Sequence, residues 1–227
     1  MKVPSYLSAE DHARVSAAIA KAESESAGEI VTILADRSDG YTDVALAWAG
    51  LAALLALTAL AIAPEFYLGL YERLTGGWVQ DWQPRQVFTV AALVAMIKFV
   101  AMILIQLWQP LKFWLVLPPV KTARVHDRAV RAFRIGAERR THGRTGILIY
   151  LSMRERRAEI VADEAIATRV SPDVWGEAME DMLAQVREAR IADGMIAAIE
   201  RVGTVLAEHF PRPEDDVNEL PDRLIEV

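Results

Sequence analysis

Two uninterrupted apolar runs dominate the hydropathy pattern, VALAWAGLAALLALTALAIA at Val44–Ala63 and VFTVAALVAMIKFVAMILIQLW at Val87–Trp108. About 20 residues at about 1.5 Å rise each cover a hydrocarbon core of about 30 Å. The first run carries no charge and the second carries only Lys98. The pattern predicts a transmembrane α-helical hairpin, with spans at about 44–63 and 87–108, set into a chain otherwise patterned like a soluble domain. Two buried core helices would give similar runs, but the polar remainder is not patterned to wrap them.

Outside the hairpin the period alternates between helix and strand. Ser8 is a candidate N-cap with Asp11 three residues on, and Val15, Ile19 and Ala22 recur at helical spacing to about Ser24. EIVTILAD at Glu29–Asp36 reads as a buried strand ended by RSDG. After the second run Pro110 stops the helix, Phe113–Leu117 is too short to span and reads as an interfacial return, and Pro118 and Pro119 are expected to exclude helix. Val125–Arg140 regains helical spacing, with Ala129, Val130, Phe133 and Ala137 on one face and arginines elsewhere. GILIYLS at Gly146–Ser152 is apolar on both faces and predicts a central strand, parallel to the first through a right-handed crossover. A polar turn at Arg154–Arg156 leads into an antiparallel strand over Arg157–Asp163. A short helix at Ala165–Val170 follows, then a helix capped by Ser171 with Val174, Ala178, Met182 and Val186 inward, then Ile191–Phe210. Arg212–Val227 reads as an acidic, mobile tail with a short docked segment at Leu224 and Ile225. The expected organisation is a discontinuous domain, 1–43 plus 121–211, a hairpin with its return segment at 44–120, and a tail at 212–227.

Charge sharpens this picture. The chain of 227 residues has a net charge of −6, yet 121–157 sums to +8 and 158–227 to −11. The basic block follows the second span, while the loop between the spans offers only Arg73 and Arg85, so both termini and the domain are expected in the cytoplasm at a bacterial inner membrane. No secretory signal pattern precedes the first span. Lys112, Lys121, Arg124, Arg128 and Arg131 are the candidate contacts to anionic lipid, each worth about 1 kcal/mol near the surface, and lipid rather than nucleic acid is the expected partner. Tyr67, Tyr71, Trp78 and Trp82 in the inter-span loop suit the opposite headgroup layer. There is no cysteine, which excludes disulfides and thiolate chemistry.

The order of helix, GEIVTILAD, basic helix, TGILIYLSMRERRAEIVADEAI, SPDVWGEAMEDML and DGMIAAIERVGTVLAEHFP resembles the TPM domain family, which includes proteins of thylakoid lumens and bacterial envelopes, several linked with photosystem repair. The resemblance covers Ser8–Pro211 and implies an α/β fold, a compact sandwich of a small central sheet flanked by helices, here with the transmembrane hairpin inserted. Some members are divalent-metal-binding or acid phosphatases. By motif position the matching acids are Asp36 after the first strand and Asp163 with Glu164 after the third, which makes them the candidate ligands of calcium or magnesium. The same acids also suit a turn and a helix N-terminus, a role in the fold alone. The chain departs from the family at Ala162–Asp163, where a glycine-containing turn is usual, and at THGRTG, where Asn-Gly is common. Relatives also face the extracytoplasmic side and lack an internal hairpin.

Hard cations need several oxygen ligands, so Asp36, Asp163 and Glu164 serve only if the fold brings them together. His12, His126, His142 and His209 lack metal spacing, and no HExxH, phosphate-binding glycine loop or nucleophile elbow is present. Lys98 near mid-span must face a partner helix or crevice, or bend its stem to the interface, and the first span offers it no acid. Ala45, Ala49 and Ala53, at four-residue spacing, permit close helix approach within the hairpin or between copies. The expected function is a membrane-anchored module for binding, assembly or regulation of other membrane components, partnered by lipids and by other membrane proteins or itself through the hairpin. The alternative is a divalent-metal-dependent phosphohydrolase.

Overall fold

A computed structural model describes residues 5–76, 82–136, 145–213 and 220–227. Trp78, Ala137, Arg139, Arg140 and His142, and most of the THGRTG turn, lie outside the described residues. The chain divides into two compact units, one of Met1–Asp39 with Pro118–Val227 and one of Gly40–Leu117.

The larger unit is a three-layer α/β structure. Helix α1 (Ala9–Glu25) starts with a capping box, the Ser8 side chain accepting from Asp11 N and the Asp11 carboxylate from Ser8 N. Strand β1 (Glu29–Ala35) is central, and the sheet order is β3-β2-β1-β4. Strand β2 (Gly146–Ser152) pairs parallel with β1 over its whole length, and β3 (Arg157–Ala162) returns antiparallel on β2. The two-residue period of β1 and β2 sorts their side chains between two cores. Ile30, Leu34, Ile147, Ile149 and Leu151 meet Val15 and Ile19 of α1, Met182 of α8 (Pro172–Arg187) and Met195, Ile199, Val202 and Leu206 of α9 (Ile191–His209). Ile33, Ala35, Leu148 and Tyr150 meet Val125, Ala129 and Phe133 of α6 (Pro118–Gly136) on the other face. A buried Leu or Ile contributes about 1.5–3 kcal/mol, so these two layers are the main stabilising term. The short α7 (Glu164–Ala167) follows β3, and Ser171 caps α8 by accepting from Asp173 N.

Two expectations are corrected here. Pro118 and Pro119 do not exclude helix: they open α6, where a first-turn N–H has no intrahelical partner to lose. The tail is not only an extension. Its docked segment is β4 (Leu224–Glu226), which pairs parallel with β1 from Thr32 to Leu34 and completes the sheet. Leu220 and Leu224 are buried, one in each core, and Leu220 N donates to the Glu29 carboxylate.

The smaller unit holds α2 (Thr42–Ile62), α3 (Pro64–Thr75), α4 (Pro84–Ile105) and α5 (Gln109–Leu115). Both α2 and α4 are long and apolar enough to cross a membrane, with 17% and 6% of their most apolar windows buried. They pack on each other, and their buried residues are Ala45, Ala49 and Leu60 of α2 and Val90 of α4. Alanine at four-residue spacing leaves the room for this approach. The buried Gln106 side chain locks one end, donating to Ala45 O and Met102 O at 3.1 Å each. The polar inter-span segment is largely helical: α3 carries Tyr67 and Tyr71, and Tyr71 meets Trp82 edge to face.

Candidate functional site

Open α/β sheets bind ligands outside the carboxyl ends of their strands, and here that edge carries a dense polar cluster. Past Ala35 and Ser152 the ladder continues, Met153 N donating to Ala35 O at 3.0 Å and Arg154 N to Asp36 O at 3.1 Å. Asp36 is therefore held against the β2–β3 turn. Both its carboxylate oxygens accept from Arg154 Nε at 3.0 Å, and Oδ1 also accepts from the Tyr6 hydroxyl. Burial opposes ionisation of Asp36, but the Tyr6 hydrogen bond and the Arg154 guanidinium outweigh it and hold the carboxyl below its ordinary range. The same burial and the adjacent carboxylate push the Tyr6 phenol up to about 12.

Beside this pair, Ser38 closes a second network. Ser38 N donates to Glu155 Oε1 at 2.9 Å, Ser38 Oγ donates to Ser152 Oγ at 3.0 Å, and Ser152 Oγ donates to Glu155 Oε2 at 2.6 Å. Ser38 Oγ also lies 3.2 Å from the Tyr150 hydroxyl, whose pKa burial raises. Ser152, Glu155 and Tyr150 are buried. A serine beside a carboxylate is the start of a nucleophile, but Ser152 is buried and its hydroxyl is committed to Glu155. The network's chemistry is positional: it fixes the turn that carries Arg154 and Arg156.

The metal candidates do not share a site. Because β3 runs antiparallel to β2, it carries Asp163 and Glu164 back to the amino end of β2, where Asp163 Oδ2 accepts from Gly146 N at 3.0 Å. Seven strand residues at about 3.3 Å each put Asp36 and Asp163 about 20 Å apart. Glu164 is exposed at the first position of α7. A guanidinium occupies the two oxygens of Asp36 that a cation would need, so this donor set does not fit calcium or magnesium held by the three acids together. Among the described residues no group of three or more His, Asp or Glu is placed to hold a metal ion.

The basic candidates divide between the units. Lys121, Arg124, Arg128 and Arg131 lie on α6, where Arg124 pairs with Asp39 at 3.2 Å and Arg131 Nε donates to Asp127 O at 3.0 Å. Burial, then Arg157, lowers the Lys121 pKa against the opposing pull of Glu155, with Arg156 adding to the depression. Lys112 is half-buried on α5 and Lys98 is exposed on α4. His12 Nε2 lies 3.1 Å from Glu226 Oε1 and His126 Nδ1 lies 2.8 Å from Glu159 Oε1, each a hydrogen bond between single side chains. Sequence reasoning missed Ser38, Tyr150, Ser152, Arg154 and Glu155. The signal available for them was the charged RER run placed directly after a central strand.

Residues 115–205 match the model of the family described as TPM domain. The structure is similar to the NMR structure of the BA42 protein from the psychrophilic bacterium Bizionia argentinensis, with a TM-score of 0.57 and 19% identity over 100% of this chain and 99% of that one. That likeness is one of fold. No curated protein matches the chain.

Proposed function

We propose that the chain is a membrane-anchored binding module, held at a bacterial inner membrane by α2 and α4, that acts on other membrane components by assembly or regulation rather than by catalysis. The observation that carries this reading is the state of the acids at the strand ends: Asp36 is spent on Arg154 and Tyr6, and Glu155 on Ser38 and Ser152. Neither offers the open coordination position or free base that hydrolysis needs. Anchoring is supported by large apolar side chains left uncovered along both helices, such as Leu54 at 63% and Phe88 at 73% exposure. Arg128 and Arg131, exposed on α6, suit anionic headgroups, and the apolar faces of α2 and α4 suit membrane proteins or a second copy.

The TPM domain match recommends one competing reading, a divalent-metal-dependent phosphohydrolase, which requires Arg154 to release Asp36. The deciding experiment reconstitutes the full chain in lipid nanodiscs, titrates calcium and magnesium calorimetrically and follows phosphate-ester hydrolysis. No turnover with either metal is expected; metal-dependent turnover lost in Asp36→Asn would overturn the binding reading. For the anchor, the chain should stay in the pellet on alkaline carbonate extraction. A reporter at Val227 that works only outside the cytoplasm should stay silent.

A further inference from the structure

On the α8 side of the same sheet edge lies a cavity of about 490 Å³, lined by Leu151, Ser152, Met153, Arg156, Leu183, Val186 and Arg187. Its size falls within the range of small-molecule sites. Its wall is aliphatic and thioether, from the end of β2 and the last turns of α8, and its only charged lining groups are two guanidinia. Arg156 and Arg187 are exposed, and neither side chain has an ion-pair partner among the described residues, unlike Arg154, which is committed to Asp36. Arg156 sits at φ 53, the left-handed position that closes the β2–β3 turn, with its N donating to Met153 O at 3.3 Å; glycine would be the unstrained choice there, and the residue present is a long cation that lines the cavity.

We infer that this cavity binds an aliphatic monocarboxylate, with the chain against Leu151, Met153, Leu183 and Val186 and the carboxylate between Arg156 and Arg187. The planar fork of a guanidinium matches a carboxylate in two parallel hydrogen bonds. The apolar side chains on one part of the wall and the two guanidinia on the other suit an amphipathic acid rather than a bare inorganic anion. The inference concerns the sheet domain alone and stands apart from the anchoring reading.

The test uses the full chain in zwitterionic nanodiscs, with octanoate titrated calorimetrically against empty discs. Octanoate should bind at least tenfold more tightly than acetate, which has the head without the chain. Arg156→Gly and Arg187→Gln should each weaken octanoate at least tenfold, while Arg156→Gly melts at the same or a higher temperature because glycine relieves the backbone. A general folding defect would lower both affinity and melting temperature, so the two readouts separate the causes. Discs doped with oleate distinguish the source of the acid: loss of the octanoate heat identifies a long-chain acid taken from the bilayer, and undiminished heat a short-chain acid taken from solution. Equal isotherms for wild type and the double variant, or acetate binding as well as octanoate, would overturn the inference.

Discussion

At the residue scale two carboxyls, the half-buried Asp36 and the buried Glu23, titrate in opposite directions. Asp36 is ionised and paired, so its folded pKa lies below its ordinary value of 3.8. A depressed acid contributes stability that is complete above the unfolded pKa and lost as pH falls through the folded one. Asp36→Asn should therefore cost about 1.5–3 kcal/mol at pH 7, nearer the lower figure because Arg154 is a third exposed, and the gap to wild type should close in acid. Urea titrations at pH 7 and pH 3 read this directly. Glu23 behaves the other way. Burial raises its pKa from 4.5 to about 9 despite the hydrogen bond from Ile30 N, and Glu29 and Asp222 add to the rise. Between those values the unfolded chain has released a proton that the folded chain retains, so this group makes stability fall as pH rises, by at most about 1.4 kcal/mol per pH unit. Glu23→Gln keeps an acceptor for Ile30 N and a donor toward Asp222. Its melting temperature should exceed that of wild type at pH 8 and lose the downward slope from pH 6.

At the element scale the tightest constraint is the approach of α1 to α9. A Cβ built on Gly203 would stand 2.6 Å from the Cβ of Ala22, and neither atom is the end of a flexible side chain. Gly203→Ala gains about 1 kcal/mol of helix propensity but forces the helices apart, at about 1–3 kcal/mol, so a net loss is expected. Adding Ala22→Gly should recover part of it, a non-additivity that a double-mutant cycle on melting temperatures would show. The elements themselves were largely legible. Short apolar runs of strand length marked β1 and β2, the Ser8 and Ser171 caps marked the starts of α1 and α8, and the parallel β1–β2 pairing followed from two strands without polar faces. The limits were physical. Three residues of β4 carry too little pattern to separate strand from tail, because their pairing comes from the β1 edge rather than from themselves. The antiparallel turn into β3 was legible, and it already implies that Asp163 returns to the end opposite Asp36. What no local pattern encodes is that Arg154 closes on Asp36, since that contact depends on two strands being in register.

At the scale of the whole molecule the question is whether the sheet domain depends on the segment that interrupts it. Both of its cores are built from residues outside 40–117. The interrupting unit enters after β1, inside the crossover that leads through α6 to β2. A parallel pair requires such a crossover in any case, and α6 with its apolar face of Val125, Ala129 and Phe133 already provides the packing part of it. Lengthening a loop adds closure entropy only slowly, about 0.6 kcal/mol per doubling, so a long insertion at this point costs the fold little. Replacing 40–117 by a short glycine-serine linker should therefore yield a soluble protein with mixed α/β circular dichroism. It should unfold in one cooperative transition, with a melting temperature equal to or above that of the full chain's domain. The variant should still show the Glu23 pH slope, because Glu23, Ile30 and Asp222 are all retained. A variant that is expanded, or that unfolds without cooperativity, would mean that the helical unit contributes to the domain's stability and is more than an insertion.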